Sequence, residues 1–281
     1  MEKYLLKISC KDKPGIISMI SGAVAEWEGN ITELDQFTDP DTQNFFLRLL
    51  FTIDGEKIGK TAQILESVKQ VYNMNLTLRE EKAKKKTLIL CSKEPHCLIH
   101  LLEKQRQKAV SMDITNIISN HSDLKNIATY HNIPFHHLPV TLETKALQEA
   151  QIEKIIEQNQ VEFIILARYM QILSKNFCEK YKDRIINIHH SFLPGFKGAN
   201  PYKQAYERGV KIIGATAHFV TEELDEGPII CQETIRVSHQ HTISDLTRFG
   251  ADIESLTLAR AVKYVCEDKV FIDKNKTVVL K

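Results

Sequence analysis

Apolar and polar positions along the chain follow two rhythms in turn. Residues 4–10 alternate as a half-buried strand does, and Lys11-Asp12-Lys13-Pro14-Gly15 reads as a turn. Ile16, Ile17, Ile20, Val24 and Trp27 then recur at helical spacing, with Gly29-Asn30 as a stop. Residues 31–38 and 45–53 read as two strands of a hairpin around the turn at 39–42. Ile58, Ala62, Leu65 and Val68 share one face of a helix over 58–71, and residues 76–78 supply a fourth strand. The order is βαββαβ, a ferredoxin-like unit that many functions share.

A charged run, Glu80-Glu81-Lys82-Ala83-Lys84-Lys85-Lys86, has no apolar period. It predicts a first domain at 1–82, a solvated linker at 83–86 and a second domain at 87–281. In the second domain the rhythm becomes strand and helix by turns. Strands are predicted at 87–91, 114–119, 135–140, 161–166, 184–189 and 214–220. Helices are predicted from Leu98 onward through Leu101 and Leu102, and at 124–130, 145–158 and 171–181, with a long amphipathic segment at 244–267. This is the pattern of a Rossmann-like, mostly parallel, doubly wound sheet, so the whole chain is α/β.

The chemistry concentrates between Asn187 and Ile230. Strand alternation puts Asn187 and His189 on one face. Beyond them a loop with Pro194, Gly195 and Gly198 leaves the sheet edge, where open α/β sheets bind ligands. Asp225, in the acidic loop 222–228, is the candidate acid facing that pair. No Ser or Cys sits in a nucleophile elbow nearby, so a covalent acyl-enzyme is not indicated. A carboxylate can activate a water or an amine while His and Asn donate to the developing oxyanion, which reads as acyl transfer without a covalent step. His189 and His190, as neighbours in a strand, point to opposite faces, and no metal site is predicted. His136-His137 and the His239/His241 pair read as surface or packing residues.

Composition narrows the partners. The chain has 281 residues, 43% hydrophobic and 26% charged, with a net charge of +1, which gives no electrostatic reason to expect nucleic acid or a membrane surface. Six cysteines without a C-x-x-C pair read as reduced thiols. The start lacks the apolar core of a signal peptide, and no apolar run approaches a membrane span. The expectation is a cytoplasmic protein with a small ligand.

The motif N-I-H-x-S-x-L-P, followed by H-F-V-T-E-E-L-D-x-G-P-I, is similar to the folate-dependent formyltransferases, whose catalytic Asn, His and Asp fall here on Asn187, His189 and Asp225. D-x-P-G-I and the later G-N-I resemble an ACT domain, a small regulatory module. The two modules in this order, with L-A-R-Y-M-Q-I-L-S at 166–174 and N-I-H-H-S, resemble the formyltetrahydrofolate deformylase family over nearly the whole chain.

The resemblance implies hydrolysis of 10-formyltetrahydrofolate, with no tightly bound cofactor. It implies pterin contacts from Arg168, Tyr169, Met170, Gln171, Ile172, Leu173, Val220, Thr221 and Leu224, with Ser191, Thr216 and His218 behind the catalytic trio. It also implies a homo-oligomer with a glycine or methionine effector at Asp12, Lys13, Pro14, Gly15, Asn30 and Ile31. Two other readings remain open: formyl transfer to an unphosphorylated amine, and a non-catalytic sensor of folate and amino acid. One departure bears on the acceptor. Transformylases of phosphorylated amines resemble one another in a Gly- and Ser-rich loop after the first strand of this domain, where this chain has Cys91-Ser92-Lys93-Glu94-Pro95-His96-Cys97. Proline removes a backbone donor and glutamate repels phosphate, so a phosphorylated acceptor is disfavoured.

Overall fold

The computed structural model describes residues 1–195 and 201–280; Gly198 of the predicted loop lies outside them. The chain divides into two compact units, Met1–Ala83 with Glu267–Lys281, and Lys84–Cys266.

The first unit opens with β1 (Glu2–Lys11), α1 (Ile16–Ala25), β2 (Asn30–Thr38), β3 (Asn44–Ile53), α2 (Ile58–Tyr72) and β4 (Asn75–Glu80), in the predicted order. Its antiparallel sheet runs β2-β3-β1-β4. Ile16, Ile20 and Val24 of α1 and Leu65 and Val68 of α2 pack with Leu6, Ile8, Leu47, Leu49 and Phe51 of the sheet. Ile17 stays 41% exposed, and Thr61 takes the buried place expected of Ala62.

The second unit contains β5 (Lys85–Cys91), α3 (His96–Arg106), β6 (Met112–Ser119), α4 (Lys125–Tyr130), β7 (Phe135–His137), α5 (Lys145–Asn159), β8 (Phe163–Ala167), α6 (Lys175–Lys180), β9 (Ile185–His189), α7 (Pro201–Glu207), β10 (Ile212–Phe219), β11 (Ile229–Arg236) and α8 (Ile243–Cys266). The sheet order is β11-β10-β9-β8-β5-β6-β7. Strands β5 to β9 are parallel, while β10 and β11 are antiparallel additions at one edge. The chain winds outward from β5 through β6 and β7, then returns to the other side of β5 at β8. The carboxyl ends of β5 and β8 therefore flank a topological switch point, where such sheets form a crevice.

Several predicted boundaries move. The helix expected at 171–181 starts only at Lys175, because Ser174 caps it: its hydroxyl accepts from Phe177 N–H, while its own N–H and hydroxyl donate to Glu149. The strand expected at 135–140 ends at His137. Lys85 and Lys86, expected in a solvated linker, begin β5, where Lys85 Nζ stands 5.2 Å from the centre of the Phe163 ring. Strand β11 and helix α7 carry too little period to be read from the sequence.

The largest shift is at the C-terminus. Residues 267–281, expected with the second domain, belong to the first unit. There β12 (Val270–Asp273) and β13 (Lys276–Val279) form a hairpin, and Phe271 and Leu280 pack on Phe46. Buried Arg48 donates to Glu267 O at 2.9 Å, and Asn44 and Thr42 donate to Asp273. The alternation of β3 hides this partner in the sequence, since Phe46 and Arg48 point away from the helices. Among the described residues no helix is long and apolar enough to cross a membrane.

Phe271 is 4% exposed, so Phe271→Ala is expected to destabilise the first unit by about 3–5 kcal/mol. Hydrogen exchange resolved by residue checks this: protection should fall in β1 and β3, and an unchanged profile would contradict the packing role.

Candidate active site

Strand β9 ends with Asn187 and His189 on the face that alternation predicts, and β10 lies antiparallel beside it, pairing His218 with Asn187 and Thr216 with His189. A register shift between Ala217 and His218 interrupts the β10–β11 ladder and locally re-aims the strand. His218 Nδ1 lies 2.8 Å from the Phe219 carbonyl oxygen. A carbonyl only accepts, so Nδ1 donates to it, while Nε2 faces Asp225 and lies 3.2 Å from Asn187 Nδ2. Asn187 has two amide hydrogens, and at most one points at His218, which leaves one for another acceptor.

Asp225 completes the group. Its Oδ2 lies 3.2 Å from His189 Nδ1 and its Oδ1 3.6 Å from His218 Nε2. Burial pushes this carboxyl up, but the hydrogen bonds and charge of the two imidazoles outweigh it and hold it well below the usual carboxylate range. His189 Nε2 is buried with no hydrogen-bond partner, while its other nitrogen faces Asp225. The Asp225 backbone has φ 58°, a conformation rarely adopted by residues other than glycine. Gly227 makes this tight loop possible: a Cβ there would sit 1.7 Å from the Phe219 carbonyl oxygen.

The group borders a cavity of about 590 Å³. Arg168 to Leu173 and Val220 to Leu224 line one side, with Met170, Ile172 and Leu224 each more than half exposed. Exposed apolar residues gathered around a cavity mark a ligand surface. All nine predicted pterin-contact residues are thus brought together. Two neighbouring residues of α5 anchor this segment: Gln148 Oε1 accepts from Tyr169 O–H at 3.2 Å, and Glu149 takes both hydrogens of Ser174. Ser92 Oγ accepts from Met170 N–H at 3.0 Å and donates to Asn120 at 2.7 Å.

Ser191 and Thr216 stand behind the trio as expected. Thr216 Oγ1 donates to Ser191 O, accepts from Leu193 N–H and is met by Gln232 Nε2, which also donates to Leu193 O. Gln232 had no signal in the sequence, because β11 was not legible there. His190 also borders the cavity, contrary to strict alternation, since β9 stops at His189. Its ring is pushed down to about 4 by burial and by the Arg168 charge, which keeps it neutral. His136 Nε2 donates to Asn116 Oδ1 at 2.9 Å, and His241 Nδ1 accepts from Ser238 N–H at 3.0 Å, both structural contacts.

The polar lining beyond Arg168 was not anticipated: Glu94, His96, Tyr202 and Glu254 also border the cavity, with Glu94 half-exposed in the loop where a phosphate would need donors. Among the described residues, His96, Cys97 and Glu254 place possible ligand atoms within 4.8 Å of one another. Glu254 already faces His96, Tyr202 and the Arg168 cation, and burial pushes the Cys97 thiol up, away from the thiolate a metal needs.

The predicted effector residues do not meet within one chain. Asp12 to Gly15 follow the end of β1 beside Asn44 and Thr38, and Thr38 donates to Asp12. Asn30 and Ile31 open β2 opposite Thr52 and Phe51, at the other end of the sheet, roughly 25 Å away by strand rise.

The Formyl transferase family matches residues 85–262. The formyltetrahydrofolate deformylase of Bacillus subtilis (strain 168) is 44% identical over 281 residues, 99% of this chain and 94% of that protein. The crystal structure of formyltetrahydrofolate deformylase from Burkholderia mallei ATCC 23344 matches with a TM-score of 0.96 at 42% identity, covering 100% of both chains. Glycinamide ribonucleotide transformylase 1 from Symbiobacterium toebii matches with a TM-score of 0.68 at 26% identity, covering 73% of this chain and 98% of that one.

The depressed carboxyl of Asp225 carries a pH signature. Stability from its charged form is complete above the unfolded value of about 3.9 and is lost as pH falls through the lower folded value. Asp225→Asn is expected to lower Tm at neutral pH, with the gap to wild type narrowing below about pH 4. A gap that stays constant from pH 7 to pH 2.5 would contradict the pairing.

Proposed function

The chain belongs to the formyltetrahydrofolate deformylase family, and from that premise we propose that it hydrolyses 10-formyltetrahydrofolate to formate and tetrahydrofolate. The observation that carries the reading is the Asp225 carboxylate facing two imidazoles beside Asn187, at the edge of an apolar-lined cavity.

In this mechanism a water oxygen attacks the formyl carbon. The carbonyl pair moves onto the formyl oxygen, where Asn187 and protonated His189 donate to it. Both Asp225 oxygens already face histidine rings, so the carboxylate assists the water through relayed protons, with His189 as the relay. Collapse breaks the bond to N10, which leaves with the electron pair and takes a proton from His189. His189 regains the proton that the water gave up, and formic acid loses its own to give formate. No covalent enzyme intermediate is needed.

The reading places the protein in the cytoplasm, supplying formate and free tetrahydrofolate to one-carbon and purine metabolism. The first unit acts as an ACT-like regulatory and oligomerisation module in a homo-oligomer. Because Asp12 to Gly15 and Asn30–Ile31 are far apart in one chain, a glycine or methionine site would combine one copy's turn with another copy's strand.

Formate release from 10-formyltetrahydrofolate without added amine tests the activity. Asn187→Ala and His189→Ala are each expected to lower turnover ~10²- to 10³-fold, and Asp225→Asn to abolish it. Near-normal turnover in any of the three would refute the assigned roles, and no release by wild type would refute the deformylase reading.

A further inference from the structure

Arg168 has features that the mechanism above leaves unused. It follows β8 at φ 61°, a strained position for a residue with a side chain, and such strain concentrates where a side chain serves a function. Its side chain is 15% exposed, yet Nε and Nη1 are buried without a hydrogen-bond partner. Glu254, with a side chain 2% exposed, lies 3.4 Å from Nε, an ion-pair distance without hydrogen-bond alignment. Glu254 is fixed in turn: Tyr202 O–H donates to Oε1 at 2.5 Å, and His96 Nε2 lies 2.8 Å from Oε2. Tyr202 fits against α8 only because residue 250 is glycine, where a Cβ would meet the ring at 2.1 Å. The carboxylate thus anchors the guanidinium while leaving N–H groups unmatched in a residue that borders the cavity.

A guanidinium donates and never accepts, so the matching ligand is an oxygen, best one that gains negative charge. We propose that Arg168 holds the incoming oxygen of the reaction: the water first, then the hydroxyl of the tetrahedral intermediate, and last the second carboxylate oxygen of formate. This inference rests on the deformylase reading and adds to it the selection of water over amines. Water has two lone pairs, so one can accept from Arg168 while the other attacks. A neutral amine has one, and a donor that binds it removes the nucleophile. The contrast grows along the reaction, because formate presents an anionic oxygen where a formamide presents an N–H, which faces the guanidinium donor to donor. Hydrolysis is balanced as before: the water oxygen bonds to carbon, the bond to N10 breaks, and N10 receives one of the water's protons through His189.

The test follows 10-formyltetrahydrofolate with and without glycinamide, measuring formate and N-formylglycinamide together. Wild type without glycinamide reports on the deformylase reading itself, and the ratio of variant to wild type reports on Arg168. Wild type is expected to give formate alone at every glycinamide concentration. Arg168→Gly, which also relieves the backbone, is expected to lose ~10-fold or more of formate release. Guanidinium chloride, but not sodium chloride, should restore part of that release, and N-formylglycinamide should form. A folded Arg168→Gly that releases formate near the wild-type rate overturns the proposal, as does a loss accompanied by neither rescue nor amine product. Should Arg168→Gly fail to fold, product inhibition of Arg168→Lys decides: weaker inhibition by formate supports the assignment, and unchanged inhibition overturns it.

Discussion

Asp225 presents its carboxylate to His189 and His218 from a backbone turned into the left-handed region, and much of the site's order depends on that shared acceptor. The constraint runs outward from it. Gly227 lets the acidic loop close against the Phe219 carbonyl, whose oxygen also accepts from His218 Nδ1. His218 then orients the amide of Asn187, and Asp225 orients the ring of His189. Three side chains from two strands are set by one anion on a loop, and their hydrogen bonds explain why a carboxylate only 11% exposed stays charged. Removing that charge would leave two imidazoles and an amide without a reason to keep their present directions.

The same cavity separates two kinds of recognition. Part of its lining is apolar, with Met170, Ile172, Leu173 and Leu224, and part is built from hydrogen-bonded polar groups on α3, α7 and α8. A buried carboxylate is stable there only because its partners are supplied from three directions: His96 and Tyr202 by hydrogen bond, Arg168 by charge. Burial pushes the Glu254 carboxyl up, and those three neighbours hold it below its ordinary range instead. The polar part is therefore a fixed electrostatic surface, in contrast to the exposed apolar side chains that line the same cavity.

Much of this was legible in the residues themselves. The alternation of β9 put Asn187 and His189 on one face, the helical spacing of Ile16, Ile20 and Val24 gave α1, and the motifs gave Asp225 and the segment from Arg168 to Leu173. The misses share a cause: the relevant partner is remote in sequence. Phe46 and Arg48 gain meaning only when residues 267–280 return to cover them. Glu254 looks like an ordinary charge on an amphipathic helix until folding brings His96 and Tyr202 to it. Ser174 delays the start of the predicted helix because Glu149, on another helix, accepts from its backbone. Positive φ at Arg168 and Asp225 leaves no mark in composition or period, since neither is glycine.

The anchoring of the segment after β8 has a consequence for redesign. Gln148 and Glu149, adjacent on α5, hold Tyr169 and Ser174 respectively, so the four residues between those anchors form a span of defined length with both ends fixed by one helix. Such a span behaves as a replaceable cassette. Met170, Gln171, Ile172 and Leu173 can change in side-chain character while the attachment points keep the backbone in register, whereas an insertion or deletion must bow or stretch it. Variation in ring recognition is thus open to substitution and closed to changes in length.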